Sequence, residues 1–247
     1  MKLTICVFVF LAVGNNAKLP SNFKKCKYNS PDMEKCFLDA VQDGITQTTK
    51  AYPEINLASF SPLEILELAI KAGSEAVVNV DQNFKNCTLY GVPQTVLDEI
   101  DFEGKFIQGS GVIPELKKDC SYELNGRVLL LPIVGSGPST VILTNVKAKL
   151  HLDYEQVKKN GKTFMHGTSI KLDLDPETIS YHFENLFNGD KQLGDNINAV
   201  LNENSKEVFQ DVKSGYENGI AMVLLQIINN LFSKLSMEEA FDYSGGQ

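Results

Sequence analysis

The longest regular pattern of hydrophobic positions in the chain runs from Asp195 to Leu235. Apolar residues recur there every three or four positions, which predicts a helix about 60 Å long if it is unbroken. Charged residues accompany the first half, whereas the second half is apolar on most sides and is predicted to be enclosed. Gly215 and Gly219 lie one turn apart, which indicates a kink or a place where another chain or a ligand comes close.

The middle of the chain has the alternating pattern of strands. Apolar and polar residues alternate from Val78, and strands are predicted to continue to Tyr90. Residues 124–133 are predicted to form a strand that is covered on both faces, because consecutive leucines leave it no polar side. The glycine-rich segment 135–138 is predicted to be a turn.

A long hairpin is predicted to follow that turn. Residues 142–153 alternate between apolar and polar side chains, and residues 170–175 form a return strand with the same alternation. Asn160 and Gly161 lie between them and are typical of a tight hairpin turn. The strands are therefore predicted to be long, hairpin-connected and antiparallel.

These elements predict an α+β fold in a single domain over residues 18–247. A short helix over residues 32–47 is predicted at the amino end, where Pro31 and Asp32 favour a helix start. A strongly curved antiparallel β-sheet wrapped around the long carboxyl-terminal helix would cover that helix on its apolar sides.

The first 17 residues have the features of a secretory signal peptide. Lys2 precedes an apolar run and small residues follow it, with cleavage predicted after Gly14 or Ala17. The apolar run is shorter than the roughly 20 residues that a membrane-spanning helix needs. The protein is therefore expected to be secreted and extracellular, with no stable membrane insertion.

The sequence also predicts covalent modifications, namely disulfide bonds and one possible glycosylation site. Removal of the leader leaves four cysteines: Cys26, Cys36, Cys87 and Cys120. In a secreted chain they predict two disulfides, for which three pairings are possible, and local pairing of Cys26 with Cys36 and of Cys87 with Cys120 is the preferred interpretation. Asn86 begins a glycosylation sequon whose middle residue is Cys87, so its occupancy stays open.

Composition and motifs exclude several classes of function. The net charge is −8 and the basic residues are scattered, so no electrostatic surface for nucleic acid is expected. The histidines have no metal-ligand spacing: His151, His166 and His182. Asp173 and Asp175 share the wet face of a strand, and the segment 135–139 differs from a nucleophile elbow because its middle residue is Gly137. We therefore expect no cofactor, no metal and no enzymatic activity.

Several motifs of the chain occur together in one known family. They are Leu186-Phe187-Asn188-Gly189-Asp190-Lys191-Gln192-Leu193-Gly194, Leu201-Asn202-Glu203-Asn204, and Gly126-Arg127-Val128-Leu129-Leu130-Leu131-Pro132-Ile133 after Tyr122. With the Cys26/Cys36 pair they resemble the takeout/juvenile-hormone-binding family of secreted insect proteins. The chain departs from the family at Lys213-Ser214 and Ser236, where many members have Pro, so its long helix is expected to be straighter.

The resemblance implies an internal apolar tunnel between sheet and helix, as in the larger group of tubular lipid-binding proteins. It implies carriage of a hydrophobic ligand that is terpenoid, juvenile-hormone-like or fatty-acid-like, in feeding, circadian or chemosensory physiology. Alternation and helical spacing supply these ligand-binding candidates: Phe37, Val41, Ile45, Val78, Val80, Val128, Leu130, Ile142, Ile170, Leu172, Val212, Tyr216, Ile220, Val223, Leu224 and Ile227. Tyr216 is the expected polar handle, because a buried hydroxyl usually requires a partner.

The amino-terminal helix is a candidate gate over one mouth of the tunnel, with Phe37 as its plug, because elements that bury few contacts open first. Two other interpretations stay open. One is a secreted lipid or ester hydrolase with Ser136 or Ser139 as the nucleophile, and the other is a protein-binding module without a ligand. The sequence leaves the ligand and any receptor or protein partner unidentified.

Overall fold

The computed structural model of the protein describes residues 17–28, 30–70, 78–128 and 131–243. The predicted signal peptide lies outside the described residues, except for Ala17. The helices are α1 (Met33–Gln47), α2 (Lys191–Glu203), α3 (Ser205–Lys234) and α4 (Met237–Ala240). The strands are β1 (Leu63–Ile70), β2 (Val78–Tyr90), β3 (Val96–Glu103), β4 (Phe106–Val128), β5 (Leu131–Lys159), β6 (Lys162–Asp175) and β7 (Thr178–Phe183).

The two longest strands, β4 and β5, form the centre of an antiparallel sheet. They pair from Phe106 opposite Asp153 to Val128 opposite Leu131. The first part of β4 also pairs with β3, and its second part pairs with β2, which continues to β1. The first part of β5 pairs with β7 and the second with β6. The sheet curls around α3, which confirms the predicted α+β fold.

In both central strands the set of residues that faces the interior changes once along the strand. The change occurs at Pro114 of β4 and at Asn145 of β5, which lie opposite each other between the paired residues of the two strands. Asn145 has a positive φ of 46°. The buried residues of β5 change there from odd to even positions: Val141, Leu143, Val146 and Leu152. The prediction that Ile142 faces the interior is therefore wrong, because strict alternation cannot reveal a change of face within a strand.

The apolar segment 124–133 is not one strand. The chain reverses between Val128, the last residue of β4, and Leu131, the first of β5, and these two residues are paired. The two strands flank a connection of two residues, 129 and 130, which lie outside the described residues. A continuous apolar run does not show where a chain changes direction, which is why the sequence pattern concealed this hairpin.

The glycine-rich segment 135–138 is also not a turn, because it lies within β5. A Cβ atom at Gly135 would lie 2.9 Å from Leu186 Cα, and one at Gly137 would lie 2.8 Å from the carbonyl oxygen of Glu184. Both distances are too short for a side chain. The glycines therefore allow the segment after β7 to cross closely over β5. The Asn160-Gly161 hairpin is confirmed, with φ of 53° and 76°.

Two disulfides crosslink the described part of the chain, and they have the pairing that was preferred from the sequence. Cys26 bonds Cys36 in the first turn of α1, and the predicted helix is confirmed with Asp32 as its N-cap. Cys87 bonds Cys120 and joins the neighbouring strands β2 and β4. The first bond anchors the start of α1 to the segment that precedes it.

The long carboxyl-terminal helix is divided into α2 and α3 by a break at Asn204. The φ and ψ of Asn204 are −112° and 26°, and its side-chain amide donates to the Val200 carbonyl at 2.8 Å. α3 alone has 30 residues, about 45 Å at 1.5 Å per residue. Its second half is not fully enclosed, because Met222 is 72% exposed and lies in a stripe of exposed residues that runs from Ser214 through Asn218 and Gln226 to Asn230.

Side-chain amides of the helices pair with backbone groups of the sheet. Each amide accepts from the N–H and donates to the carbonyl of the same strand residue, with distances of 2.8 to 3.0 Å. The pairs are Asn198 with Phe183, Asn202 with Tyr181, and Asn229 with Gly167. The amides thus replace the two hydrogen bonds that a further strand would make.

Gly215 and Gly219 mark a close approach between α3 and β1. A Cβ atom at Gly215 would lie 2.5 Å from Ile70 Cγ2, and one at Gly219 would lie 2.3 Å from Leu68 Cδ1. The glycines therefore bring the helix and the edge of the sheet into contact. Of the two sites, Gly215 is the stricter, because the branched Ile70 side chain has little rotamer freedom in a strand.

We expect Gly215→Ala to destabilise the protein by about 1 to 2 kcal/mol, because overpacking outweighs the gain in helix propensity. Chemical denaturation measures the free energy of unfolding. In an Ile70→Ala background the same substitution should become neutral or stabilising. The matched control is Gly194→Ala in α2, where the nearest neighbouring atom outside the helix backbone is Leu186 Cβ at 3.6 Å. Equal effects at Gly194 and Gly215 would contradict the close packing.

Candidate functional site

The interior between the sheet, α1 and α3 contains a cavity of about 480 Å³, here called the main cavity. This volume is in the range of small-molecule sites. α3 contributes Ile220, Leu224, Ile227, Ile228 and Leu231, and α1 contributes Ala40, Val41, Gly44 and Ile45. The strands contribute mostly aliphatic residues, including Leu63, Leu89, Leu97, Ile100, Ile107, Ile113, Leu116, Ala148, Leu150, Leu172 and Leu174.

The hydroxyl groups among the residues that line the main cavity are all engaged within the protein. The Thr48 hydroxyl donates to the Ile45 carbonyl at 2.6 Å, and the Thr95 hydroxyl donates to the Val92 carbonyl at 2.7 Å. The Ser110 hydroxyl donates to Glu99 at 3.1 Å. The main cavity therefore offers an apolar surface, and none of its lining hydroxyls is left free for a ligand.

Two smaller cavities lie next to the main one and share lining residues with it or with each other. The middle cavity, of about 40 Å³, shares Leu89, Leu116, Leu174 and Ile220 with the main cavity. The inner cavity, of about 30 Å³, shares Tyr181 and Tyr216 with the middle one. Each can hold only a few atoms. The three spaces form a row, in which the two tyrosines lie between the middle and inner cavities.

A cluster of polar side chains, Gln82, Lys118, Tyr181 and Tyr216, lies at this end of the row. Lys118 is 6% exposed and its Nζ donates to the Tyr216 hydroxyl at 3.2 Å. The Tyr216 hydroxyl in turn donates to Gln82 Oε1 at 3.2 Å. Lys118 Nζ also lies 3.3 Å from the ring centroid of Phe84. Both groups that contact Lys118 Nζ, the Tyr216 hydroxyl and the Phe84 ring, are uncharged.

Burial without an anionic partner lowers the pKa of Lys118 well below its ordinary range. Burial also raises the pKa of Tyr216, with a further contribution from Tyr181, so both phenols stay protonated at neutral pH. The hydroxyl of Tyr181 is buried and has no hydrogen-bond partner among the described residues. The cluster therefore has unused capacity to donate hydrogen bonds.

The structure brings a subset of the predicted ligand-binding residues to the cavities. Those that line the main cavity are Val41, Ile45, Leu172, Ile220, Leu224 and Ile227. Those that line the inner cavity are Val80, Val212 and Tyr216. Val223 and Ile170 are partly buried and pack against the two hydrophobic clusters that flank the cavities. Their role toward a ligand stays a prediction.

The remaining candidates lie elsewhere. Phe37 packs against Phe102, with ring centroids 5.1 Å apart, and against Phe241, so it anchors α1 in an aromatic cluster and is absent from the main-cavity lining. Ile142 lies on the opposite face of β5 from the buried Val141 and Leu143. Leu130 lies outside the described residues, as do the side chains of Val78 and Val128.

Sequence reasoning missed the contribution of β4 to the site. In this strand the buried residues alternate from Leu116 through Lys118 and Cys120 to Tyr122 and Leu124. A lysine in phase with four apolar, aromatic or cysteine positions could have signalled an inward charge. The strand β1 was also overlooked, although Leu63, Ile65, Leu68 and Ile70 are buried there.

Candidate catalytic and metal-binding groups are not assembled in the described part of the chain. Ser139 is buried in β5 and its hydroxyl donates to the Cys120 carbonyl at 3.2 Å. No group of three or more potential metal ligands comes together among the described residues. His151 lies beside Asp153 at 3.2 Å and stacks on Phe106, away from the serine positions. Within the described residues, no helix is long and apolar enough to cross a membrane.

The cavity-bearing fold has known relatives. A family model described as haemolymph juvenile hormone binding protein (JHBP) matches residues 4–242. The chain belongs to this family. It is 25% identical over 244 residues to the circadian clock-controlled protein daywake of Drosophila melanogaster, covering 95% of this chain and 93% of the relative. The corresponding protein of Drosophila yakuba is 23% identical over 232 residues, covering 90% and 88%.

A solved member of the same fold is Takeout 1 of Epiphyas postvittana. It superposes with a TM-score of 0.77 and 22% sequence identity, and the match covers 88% of this chain and 99% of that one. The similarity confirms that the curved sheet and long helix form the takeout/JHBP fold. The chain thus has the fold of a family of ligand carriers.

Asn86 is accessible in spite of its disulfide-bonded neighbour. It is exposed, has a positive φ of 51°, and lies in a bulge of β2 where the pairing with β4 shifts between Lys85 and Thr88. We predict that Asn86 is glycosylated when the protein passes through a secretory pathway. Enzymatic deglycosylation should then lower the apparent mass of secreted protein, and Asn86→Gln should abolish the shift. An unchanged mass would contradict the prediction.

Proposed function

We propose that the protein is a secreted carrier that encloses a small hydrophobic molecule in the main cavity. The observation that carries this proposal is an apolar cavity of about 480 Å³ whose lining hydroxyls are all engaged with the protein itself. An apolar ligand contributes roughly 0.8 kcal/mol per buried CH₂ group, so a long aliphatic chain binds well without a polar contact. Proteins rarely maintain such a volume unless a ligand fills it.

The family resemblance implies the ligand class, and the apolar lining of the main cavity supports it. An elongated terpenoid, juvenile-hormone-like or fatty-acid-like molecule would lie along α3 between the sheet and α1. The name of the Drosophila relatives favours a role in circadian physiology, and the family description favours transport in haemolymph. Two disulfides in the described chain support the oxidising, extracellular location that the predicted leader implies.

Purified protein should release an apolar small molecule when it is extracted with organic solvent, and mass spectrometry should identify that molecule. The extracted protein should bind a fluorescent apolar dye, because the emptied cavity presents apolar area. Ala148→Phe should weaken dye binding roughly tenfold by filling the main cavity, since each buried CH₂ contributes roughly 0.8 kcal/mol. The control is Lys147→Phe, which lies next to it on the exposed face of β5.

Three outcomes discriminate among the interpretations. Weaker dye binding by Ala148→Phe, with unchanged dye binding by Lys147→Phe, supports the carrier function. Absence of both extractable ligand and dye binding would favour a protein-binding module. Turnover of an ester substrate by the purified protein would favour a hydrolase and would contradict the carrier proposal.

We also propose that α1 is the gate to the main cavity. α1 forms part of the cavity wall, yet none of its residues is fully buried. It docks on the edge of the sheet through Gln42, whose amide donates to the Thr95 carbonyl at 2.9 Å and accepts from the Leu97 N–H at 2.8 Å. Its first turn is fixed by the disulfide at Cys36, so the remainder of α1 is the part that can open.

Hydrogen exchange should locate this gate. A saturating apolar ligand should slow amide exchange over residues 37–45 more than over residues 220–231, because ligand binding shifts the population toward the closed state. Gln42→Ala should speed exchange in α1 of the ligand-free protein and accelerate ligand release. Unchanged exchange over residues 37–45 at saturation would place the entrance elsewhere.

A further inference from the structure

Lys118 is the charged side chain that the apolar interior does not explain. It lies on β4 among inward residues, is 6% exposed, and lines the middle cavity. Burying an ammonium group away from water is costly unless an opposite charge accompanies it. No carboxylate of the described residues forms an ion pair with Lys118, whereas the adjacent Lys117 on the outer face pairs with Asp119 at 2.7 Å.

Lys118 retains capacity to donate further hydrogen bonds. Among the described residues its Nζ donates to the Tyr216 hydroxyl, which in turn donates to Gln82, and it lies over the Phe84 ring. Tyr181 also lines the middle cavity, and its hydroxyl is buried without a hydrogen-bond partner among the described residues. A buried polar group of this kind usually has a partner, which can be a ligand atom. A lysine ammonium and a phenol together match the acceptor atoms of a carboxylate.

Lys118 and Tyr181 lie where the head group of an elongated ligand would be if its tail filled the main cavity. The middle cavity adjoins the main cavity through Leu116 and Ile220, and it holds only a few atoms. An aliphatic tail would fill the main cavity, which offers no free donor. A compact anionic head would reach Lys118 and Tyr181 at the inner end. The opposite orientation would leave the carboxylate against aliphatic walls.

We propose that the Lys118–Tyr181–Tyr216 cluster binds the carboxylate of a long-chain carboxylic acid, so that the ligand is an amphiphilic acid held head inward. The inference rests on the proposed carrier function and narrows it from hydrophobic molecules in general to acids. The carboxylate supplies the counter-ion that Lys118 lacks, and its second oxygen accepts from the unpartnered Tyr181 hydroxyl. Esters and hydrocarbons of equal length lack this interaction and bind through their tails alone.

The test compares tetradecanoic acid with its methyl ester by displacement of a fluorescent apolar dye from the full chain. We expect wild-type protein to bind the acid more tightly than the ester. Lys118→Met should reduce acid affinity about 10- to 100-fold, in line with a hydrogen bond to a charged group, and should leave the ester within about twofold. The matched control is Lys117→Met, on the same strand and the opposite face, which should leave the acid-to-ester ratio unchanged.

Tyr181→Phe provides a second, milder variant. It removes only a hydroxyl that has no partner among the described residues, so the fold should tolerate it, and acid affinity should fall about three- to tenfold with little change for the ester. Lys118→Met should retain or raise the melting temperature of the ligand-free protein, because it replaces a buried amine that has no ionic partner among the described residues with an apolar side chain of similar length.

The failures of the two proposals are distinguishable. If wild-type protein yields no extractable ligand and binds no dye, the carrier function fails and the carboxylate site fails with it. If the dye binds but the acid does not displace it more readily than the ester, the carrier function stands and the carboxylate site is refuted. If the acid and the ester both bind, but Lys118→Met and Tyr181→Phe leave the acid-to-ester ratio at its wild-type value, the carrier function stands and the carboxylate site is refuted.

Discussion

The pairing of β4 with β5 is the constraint on which the rest of the structure depends. This ladder holds its register from Phe106 opposite Asp153 to Val128 opposite Leu131, and all other strands attach to its two halves or to one another. Because the sheet has to curl along so long an axis, its concave face is larger than one helix can fill. α3 closes against β1 only where Gly215 and Gly219 remove side chains, and the main cavity lies beyond that contact.

Polar groups in this interior fall into two kinds with opposite consequences. The amides of Asn198, Asn202 and Asn229 each form two hydrogen bonds with strand backbone, so their desolvation is offset where they lie. They stabilise the junction of helices and sheet. Lys118 and Tyr181 lack comparable partners among the described residues, and their burial costs free energy in the ligand-free protein. The distinction separates groups that build the fold from groups available to a ligand.

The sequence was sufficient to predict the fold class, the amino-terminal helix, the Asn160-Gly161 hairpin and the preferred disulfide pairing. Periodicity and turn chemistry are local properties, so they report such features well. The glycines in β5 and the change of face at Asn145 were not predicted, because each depends on a segment distant in sequence. The hairpin between β4 and β5 is local, but its continuous apolar run does not show where the chain reverses. The helix residues of the candidate site were found more often than the strand residues for the same reason.

The separation between an apolar cavity and a polar inner end has a consequence for selectivity. Tail burial grows with chain length by roughly 0.8 kcal/mol per CH₂, and it discriminates weakly among ligands of similar length. Recognition at a polar group discriminates strongly, because a ligand that lacks the matching atom leaves that group unpaired. In this chain the Thr48, Thr95 and Ser110 hydroxyls are already engaged, so in the proposed carrier the main cavity would set the affinity for a ligand and its preferred length. Under the proposed carrier function, chemical selectivity would therefore arise at Lys118 and Tyr181, where the interior still has donors to offer.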